Sequence, residues 1–290
     1  MSQTDIELPG ALEIPARGWL RGLFDRSAPD LAGQMDAAVA AVRSSRRPEY
    51  VAVFGGKGGA GKTTTSTGIG SMLAAVMRDR VAVVDSNPDK GTLRLKFPKG
   101  QSALPLQQLA GRTEVLHSYS DLRPYLLSND LGLDALTSTR HRDTTSDGPV
   151  YAEILDFLTA DYRVVVADCG TSATSDVARE VLARATQLVV VTPAQIDGFY
   201  ALLETLDELV DMRRSKLLGD AVAVINGIHE STSVDVDKIH ADLKRRVRAV
   251  RRIPHDPLLA AGAAFDFGQL QPETKVAYAE LAATVTARFG

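Results

Sequence analysis

Short apolar runs alternate along this chain with longer stretches in which apolar residues recur at helical spacing. The runs that predict β-strands are residues 51–54, 81–84, 164–167, 188–191, 222–225 and 249–253. Several are apolar at every position, which is typical of strands buried on both faces of a parallel sheet. The stretches that predict helices are residues 30–43, 64–77, 150–158, 175–183, 197–212, 236–246 and 275–288. The alternation therefore predicts an α/β fold, in which helices flank both faces of a mostly parallel central sheet.

Two segments depart from this alternation. Residues 99–146 are predicted to contain short strands at 114–117 and 133–136, and residues 140–148 an exposed loop. Residues 1–48 hold an apolar group that consists of Trp19, Leu20, Leu23 and Phe24, beside Arg17 and Arg21. This group either contacts a membrane surface or a partner, or packs back onto the chain. Packing is favoured, because one short patch binds membranes only marginally. We accordingly predict a partly helical N-terminal extension, residues 1–48, and one large domain, residues 49–290.

Composition narrows the class of protein. The chain has 290 residues, 44% of them hydrophobic, and can bury a large core. No run of about 18 apolar residues predicts a membrane span. The start lacks a secretory apolar segment, and the single cysteine, Cys169, favours a reducing, cytoplasmic location. We expect Cys169 to be a small core side chain. The net charge of −3 predicts no affinity for nucleic acid or membranes, so such affinity requires a local patch.

The most specific chemical signal is GGKGGAGKTTT at residues 55–65, between a predicted strand and a predicted helix. It matches the phosphate-loop pattern G-x-x-x-x-G-K-[ST]. In such a loop, backbone N–H groups surround a polyphosphate at a helix N-terminus. The lysine, here Lys62, neutralises the β- and γ-phosphates, and the hydroxyl of Thr63 holds Mg²⁺. The candidate nucleotide-binding residues of the loop are Gly56, Lys57, Gly58, Gly59, Ala60, Gly61, Lys62, Thr63 and Thr64.

Two carboxylates follow predicted strands at the edge where parallel sheets bind their ligands. Asp85 ends the second strand and Asp168 ends the run YRVVVAD, so both are candidates to hold Mg²⁺ or the attacking water. Asn87 and Asp89 lie in the turn after Asp85 and are candidates to sense the γ-phosphate. The alternative for each is a helix cap or a turn residue. Function is favoured for Asp85 and Asp168, and the two interpretations of Asp89 are equal.

Asn226 and a basic strip complete the candidate set. The amide of Asn226 offers a donor and an acceptor that match the edge of adenine, although Asn-Gly is also a common turn. Residues 244–252, KRRVRAVRR, contain six basic side chains. Lys244, Arg245, Arg246 and Arg248 are the candidate contacts to DNA phosphates. The alternative, slightly favoured because the chain is acidic overall, is a solvated helix end.

Taken together, these motifs resemble those of the MinD/ParA superfamily of P-loop ATPases. KGGAGKT, which begins at Lys57, is similar to its deviant Walker A motif, DSNPDKGTL to its switch I, and residues 168–170 to its switch II. VING and IPHDPLLAAG are similar to its base-binding loops. The resemblance covers about residues 50–288. Three features resemble a subgroup, the MinD-like ATPases encoded with type VII secretion systems: GWLRGLF, the pattern D-x-NP-x-x-G-T-L in switch I, and residues 253–283.

The resemblance implies a cytoplasmic, Mg²⁺-dependent ATPase that forms a homodimer around ATP. Lys57 of each subunit would cross to the partner's phosphates, and hydrolysis would release the dimer. Asn226, Pro254 and Asp256 would hold the adenine. The implied catalytic set is Lys57, Lys62, Asp85, Asn87 and Asp168. Such a switch would position or regulate a cellular cargo or a secretion machine, through a protein partner or non-specific DNA.

Two departures from the family pattern qualify this expectation. The superfamily usually has an acidic residue at the position of Asn87, and an amide is a far poorer proton acceptor than a carboxylate. We therefore expect slow turnover, and the alternative is an ATP-dependent scaffold that scarcely hydrolyses. MinD-type proteins also append a basic amphipathic helix that binds membranes. This sequence ends at Gly290 with the last helix of the domain, so we do not expect membrane binding through that end.

Overall fold

The computed structural model describes residues 29–77, 79–87, 91–109, 111–116, 118–138, 148–229 and 231–290. Its strands are β1 (Glu49–Phe54), β2 (Val81–Ser86), β3 (Leu126–Ser128), β4 (Leu133–Leu136), β5 (Val164–Cys169), β6 (Gln187–Pro193), β7 (Val222–Ile228) and β8 (Ala249–Pro254). Within the described residues they form one sheet in the order β3-β4-β2-β5-β1-β6-β7-β8. Every neighbouring pair is parallel except β3 and β4. The predicted fold class is thus confirmed.

The strand order determines which side chains meet at the functional edge of the sheet. β1 lies between β5 and β6, and β2 lies on the far side of β5. Parallel pairing brings the carboxyl ends of these strands to the same edge. The register aligns Asp85 of β2 with Asp168 of β5, and Asp168 with Val53 of β1. The loop that follows β1 therefore begins beside both aspartates.

Helices cover both faces of the sheet. They are α1 (Pro29–Ala41), α2 (Lys62–Val76), α3 (Tyr119–Leu122), α4 (Gly148–Leu158), α5 (Asp176–Arg184), α6 (Ile196–Asp211), α7 (Ser215–Gly219), α8 (Val236–Lys244), α9 (Pro257–Ala260) and α10 (Pro272–Thr286). One apolar core includes Tyr151 of α4 and Leu202 of α6, and the other includes Met35 of α1, Ile69 of α2 and Tyr278 of α10. Among the described residues, no helix combines the length and the apolar character that crossing a bilayer requires.

The segment between β2 and α4 is where the structure departs from the predicted elements. The strand predicted at residues 114–117 is wrong, because residues 111–116 form turns and Val115 is 68% exposed. The sheet edge is instead formed by β3, which was not predicted. Three residues are too few for a periodic signal, and β3 is a strand only because β4 pairs with it. Of the loop predicted at 140–148, residues 140–147 lie outside the described residues and Gly148 begins α4.

Residues 29–48 pack onto the domain through α1. Met35 is 1% exposed and shares an apolar core with Tyr278 of α10. The N–H of Arg43 donates to Thr286 Oγ1 at 3.1 Å, and the hydroxyl of Ser45 donates to the carbonyl of Gly290 at 2.7 Å. The boundary predicted at residue 48 therefore separates two segments that contact each other. The apolar group around Trp19 lies outside the described residues.

Candidate nucleotide-binding site

A cleft of about 730 Å³ opens at the carboxyl edge of the sheet. Its floor is the loop between β1 and α2. One end is formed by the carboxyl ends of β7 and β8 and the segment that follows β8, and the other by the segment that follows β2. The predicted residues that line it are Gly58, Gly59, Ala60, Gly61, Lys62, Thr63, Thr64, Asn87, Asn226, Pro254 and Asp256. Residues separated by almost 200 positions thus converge on one cleft.

Two loop glycines are required by close contacts. Gly61 has φ +89°, and a Cβ at this position would lie 1.9 Å from Asn226 Nδ2. A Cβ on Gly56 would lie 2.0 Å from the carbonyl oxygen of Ala201 in α6. The absence of a side chain at Gly56 thus lets the loop pack against α6. The absence of one at Gly61 lets the loop approach β7 directly before α2 begins. The N–H of Thr65 donates to the Gly61 carbonyl at 2.8 Å, so helical hydrogen bonding begins directly after the loop.

Lys62 is a buried cation whose ammonium group bonds to the backbone of its own loop. Its ammonium donates to the Lys57 carbonyl at 3.1 Å. Burial lowers the pKa of Lys62, and the carboxylate of Asp168 partly opposes this shift. A buried ammonium with one neutral partner strongly favours an added anion. Lys62 therefore lies where a phosphate-binding lysine is needed.

Asp85 and Asp168 form a buried carboxyl pair beneath the loop. They are 1% and 2% exposed. Ser138 Oγ donates to Asp85 at 2.9 Å, and the hydroxyls of Thr63 and Ser66 donate to Asp168, the latter at 3.1 Å. Burial raises the pKa of Asp85 to about 6. Burial, with the added charge of Asp85, raises the pKa of Asp168 to about 7.

This pair fits a divalent cation. Two carboxylates and the Thr63 hydroxyl supply the oxygen ligands that Mg²⁺ prefers. A cation between the two carboxyl groups would relieve the repulsion that raises the pKa of Asp168. Ser66, which was not predicted, belongs to this group. It lies one helical turn after Lys62, a spacing that the phosphate-loop pattern does not include.

Lys57 points away from the cleft, toward the start of α6. Its ammonium donates to Asp197 Oδ2 at 2.6 Å and to Gln195 Oε1 at 3.1 Å. The Asp197 side chain is 74% exposed, so the ion pair lies at the surface. Surface pairs of this kind contribute little to stability, so Lys57 can exchange this partner for another anion.

The segment after β2 forms one wall of the cleft. Asn87 lines the cleft, and its backbone N–H donates to Asp85 Oδ1 at 3.3 Å. Asp89 lies outside the described residues. Thr92 and Lys96 also line the cleft, and Thr92 Oγ1 is 3.4 Å from Thr63 Oγ1. Thr92 belongs to the motif DSNPDKGTL but was given no role of its own, and Lys96 lies outside every predicted motif.

The opposite end contains the residues proposed to bind adenine. Asn226 Nδ2 donates to the Ala60 carbonyl at 3.4 Å, which ties β7 to the phosphate loop. Asp256 is almost completely buried. Its Oδ1 accepts from Leu258 N and its Oδ2 from Gln271 N, both at 2.9 Å. Asp256 therefore shapes this end as the cap of α9, while Asn226 and Pro254 border the open space.

Comparison with known proteins agrees with this geometry. The family model described as the CobQ/CobB/MinD/ParA nucleotide binding domain matches residues 51–265. The chain belongs to the CobQ/CobB/MinD/ParA family. The matched range includes every candidate nucleotide-binding residue, from Gly56 to Asp256.

Individual known proteins are similar to this chain to different extents. The ESX-1 secretion-associated protein EspI of Mycobacterium tuberculosis is 31% identical in an alignment 288 residues long that covers 95% of this chain and 43% of that protein. This chain thus spans less than half the length of EspI. The cell division ATPase MinD of Pyrococcus furiosus superposes with a TM-score of 0.65 at 17% identity, over 82% of this chain and 98% of that one. The septum site-determining protein MinD of Pyrococcus horikoshii, complexed with Mg-ADP, superposes with a TM-score of 0.63 at 18% identity. This superposition covers 81% of this chain and 94% of that one. At these identities the structural likeness concerns the fold.

The four basic residues predicted to contact DNA lie away from the cleft, at the end of α8 and in the turn before β8. Arg245 pairs with Asp242 at 3.5 Å and Arg246 with Asp207 at 2.5 Å. Lys244 donates to the carbonyl of Arg248, and Arg248 donates to the carbonyls of Asp220 and Thr284. Each of the four cations thus has a partner in its own chain, and a duplex would compete with these bonds. DNA binding stays a prediction.

Proposed function

We propose that this chain is an ATP-binding and ATP-hydrolysing dimerisation switch that positions or regulates a cargo or a secretion machine. The observation that carries the proposal is the position of Lys62 and the phosphate loop directly above the buried pair of Asp85 and Asp168. A cation donor, a ring of backbone N–H groups and a carboxyl pair suited to a metal are the parts that phosphoryl transfer requires.

The shape of the cleft orients the nucleotide. Adenine would lie at Asn226 and Pro254, and the phosphates would run along the loop toward β5 and β2. Lys62 would bind the β- and γ-phosphates, and Thr63, Asp85 and Asp168 would hold Mg²⁺. Bound there, Mg²⁺ would neutralise phosphate charge and polarise the terminal phosphoryl group.

Asn87 would orient the attacking water. Asp85 accepts from the backbone N–H of Asn87 and from Ser138, so its carboxylate fixes the turn that carries Asn87. The side-chain amide of Asn87 can hydrogen-bond a water but removes its proton poorly. The poor basicity of this amide supports the proposal that turnover is slow and is stimulated by a partner.

Dimerisation would use Lys57 of each subunit. Its ion pair with Asp197 is at the surface, so Lys57 can leave it for the phosphates of a second copy. An ammonium brought in by the partner supplies the charge that an arginine finger supplies in other P-loop enzymes.

The partner and the location are proposed from likeness. The identity with EspI, a secretion-associated protein, supports a role beside a secretion machine. The cytoplasm, where ATP is available and Cys169 stays reduced, is the proposed compartment.

Nucleotide binding and phosphate release by the purified chain test the function. The wild-type protein should bind Mg-ATP and release phosphate. Lys62→Ala should weaken ATP binding by about a hundredfold, because a charged contact to the phosphates is lost. Lys99→Ala, at an exposed lysine, is the control. Equal ATP affinity in the wild type and Lys62→Ala would refute the site.

The second candidate is a scaffold that binds ATP and dimerises but scarcely hydrolyses, which the amide of Asn87 in the cleft wall favours. Asn87→Asp separates the two. A large gain in phosphate release over a near-zero wild-type rate supports the scaffold, and clear wild-type turnover supports the switch.

A further inference from the structure

Lys96 is a second buried lysine of the cleft that no motif includes. It ends a short 3₁₀ helix, Leu93–Lys96, that follows the turn after β2. The residue is 7% exposed and lines the cleft together with Lys62 and Thr63. No described residue forms a hydrogen bond or an ion pair with its ammonium group. Its burial is imposed by its neighbours, since Leu93 and Phe97 are anchored in an apolar core.

A buried ammonium without a bonded partner is costly, and an anion in the adjacent space removes the cost. The space beside Lys96 is the cleft itself. By contrast, Arg94 in the same segment is exposed and donates to the Gln101 carbonyl at 2.9 Å. Within this segment, Arg94 therefore faces solvent and Lys96 faces the cleft.

The sheet order places Lys96 at one particular end of the cleft. Asn226 and Pro254 lie near the carboxyl ends of β7 and β8, whereas Lys96 follows β2. Strands β5, β1 and β6 lie between β2 and β7. Burial lowers the pKa of Lys96, and the Asp168 carboxylate opposes this shift, so the ammonium is within electrostatic reach of Asp168. Lys96 thus lies at the end farthest from the proposed adenine site and closest to the carboxyl pair.

We propose that Lys96 binds the terminal phosphate of a nucleoside triphosphate and thereby distinguishes ATP from ADP. The inference rests on the proposed function, because it assumes that the cleft takes a nucleotide with its base at Asn226. It also gives the segment after β2 a direct contact that is made with the triphosphate and absent with the diphosphate. The 3₁₀ helix Leu93–Lys96 would then be fixed by ATP and released after hydrolysis.

The test compares the affinities of a non-hydrolysable ATP analogue and of ADP, both with Mg²⁺, by titration calorimetry. Lys96→Met keeps the length and burial of the side chain and removes the charge. It should weaken binding of the triphosphate by about tenfold, which corresponds to about 1.4 kcal/mol, and change ADP binding by less than about twofold. Lys99→Met, which removes an exposed charge three residues away, should change neither. Lys96→Arg should restore most of the preference for the triphosphate.

Each result has a defined meaning. Equal losses for both nucleotides in Lys96→Met, or no loss for either, would overturn the inference while leaving the proposed function intact. A wild-type protein that binds neither nucleotide would overturn both. Amine labelling of the wild-type protein by acetic anhydride gives a measurement that needs no variant. The triphosphate should protect Lys96 more than ADP does, relative to Lys99, and equal protection would count against the inference.

Discussion

At the scale of single residues, Gly61 links the phosphate loop to the opposite end of the cleft. Gly61→Ala would place a methyl group 1.9 Å from Asn226 Nδ2 at a φ of +89°. We expect a loss of about 1–3 kcal/mol in the free energy of unfolding, because side chains rarely adopt this backbone region. Urea denaturation measures this loss of stability. The nucleotide affinity of Gly61→Ala should fall as well.

Gly58→Ala is the matched control for that change. A Cβ on Gly58 would have no atom within 4 Å. Its stability should therefore stay within about 0.5 kcal/mol of the wild type. Equal effects of the two substitutions would show that the contact between Gly61 and Asn226 has no structural importance.

The carboxyl pair gives the ligand-free protein a defined pH dependence. The pKa values of Asp85 and Asp168 are raised to about 6 and about 7, whereas an unfolded chain has carboxyl pKa values of about 4. The folded state thus binds these protons more tightly. The resulting stability is fully present below pH ~4 and is lost as the pH rises through about 6 to 7.

The expected result is a free energy of unfolding, measured in urea with EDTA, that falls between pH 5 and pH 8. Asp168→Asn removes one of the two groups and should reduce that fall. Asp207→Asn, at an exposed ion pair on α6, should leave the slope unchanged. A slope in Asp168→Asn equal to that of the wild type would contradict the assignment of the protons to this pair.

At the scale of elements, α1 is a stabilising part of the fold. Met35→Ala should lower the free energy of unfolding by about 2–4 kcal/mol, because it leaves a cavity between α1 and α10. Gln34→Ala, on the exposed face of the same helix, should have little effect. Thermal and urea denaturation of both variants would measure the difference. Similar stability of the two would mean that α1 is not anchored by Met35.

The elements also show where sequence patterns are informative. Continuous apolar runs such as residues 164–167 predicted strands correctly, because a strand buried on both faces needs an apolar residue at every position. The run at 114–117, EVLH, has apolar residues only at its two central positions, and the described part of it forms turns. β3 had almost no signal, yet it pairs with β4 at the edge. A segment becomes a strand only when a neighbouring strand pairs with it, and tertiary packing determines whether such a neighbour is present.

At the scale of the whole molecule, the proposed switch depends on a contact between two copies. Lys57→Ala should leave ATP binding by the monomer within about twofold, since Lys57 bonds to Asp197 and Gln195 outside the cleft. It should weaken the ATP-dependent dimer, because the charge that crosses to the partner is removed. Sedimentation of the 31.1 kDa chain with ATP, with ADP and without nucleotide distinguishes the two states.

Lys99→Ala is the control, and it should dimerise as the wild type does. An ATP-dependent dimer that is unchanged in Lys57→Ala would refute the crossing role. In that case the pair between Lys57 and Asp197 would be only a surface contact at the start of α6.

The sequence by itself determined the fold class and the phosphate loop. Both signals lie within short continuous stretches of the sequence. A buried strand requires an apolar run, and residues 55–65 contain the glycine-rich loop, the lysine and the threonine in one motif. The tertiary structure alone decided which distant groups join that loop. Ser66 and Lys96 are unremarkable in the sequence and become part of the site because strand order and packing bring them to one cleft. The raised pKa values of Asp85 and Asp168 have the same origin, since burial and the register of β2 with β5 create them and neither is encoded at a fixed spacing.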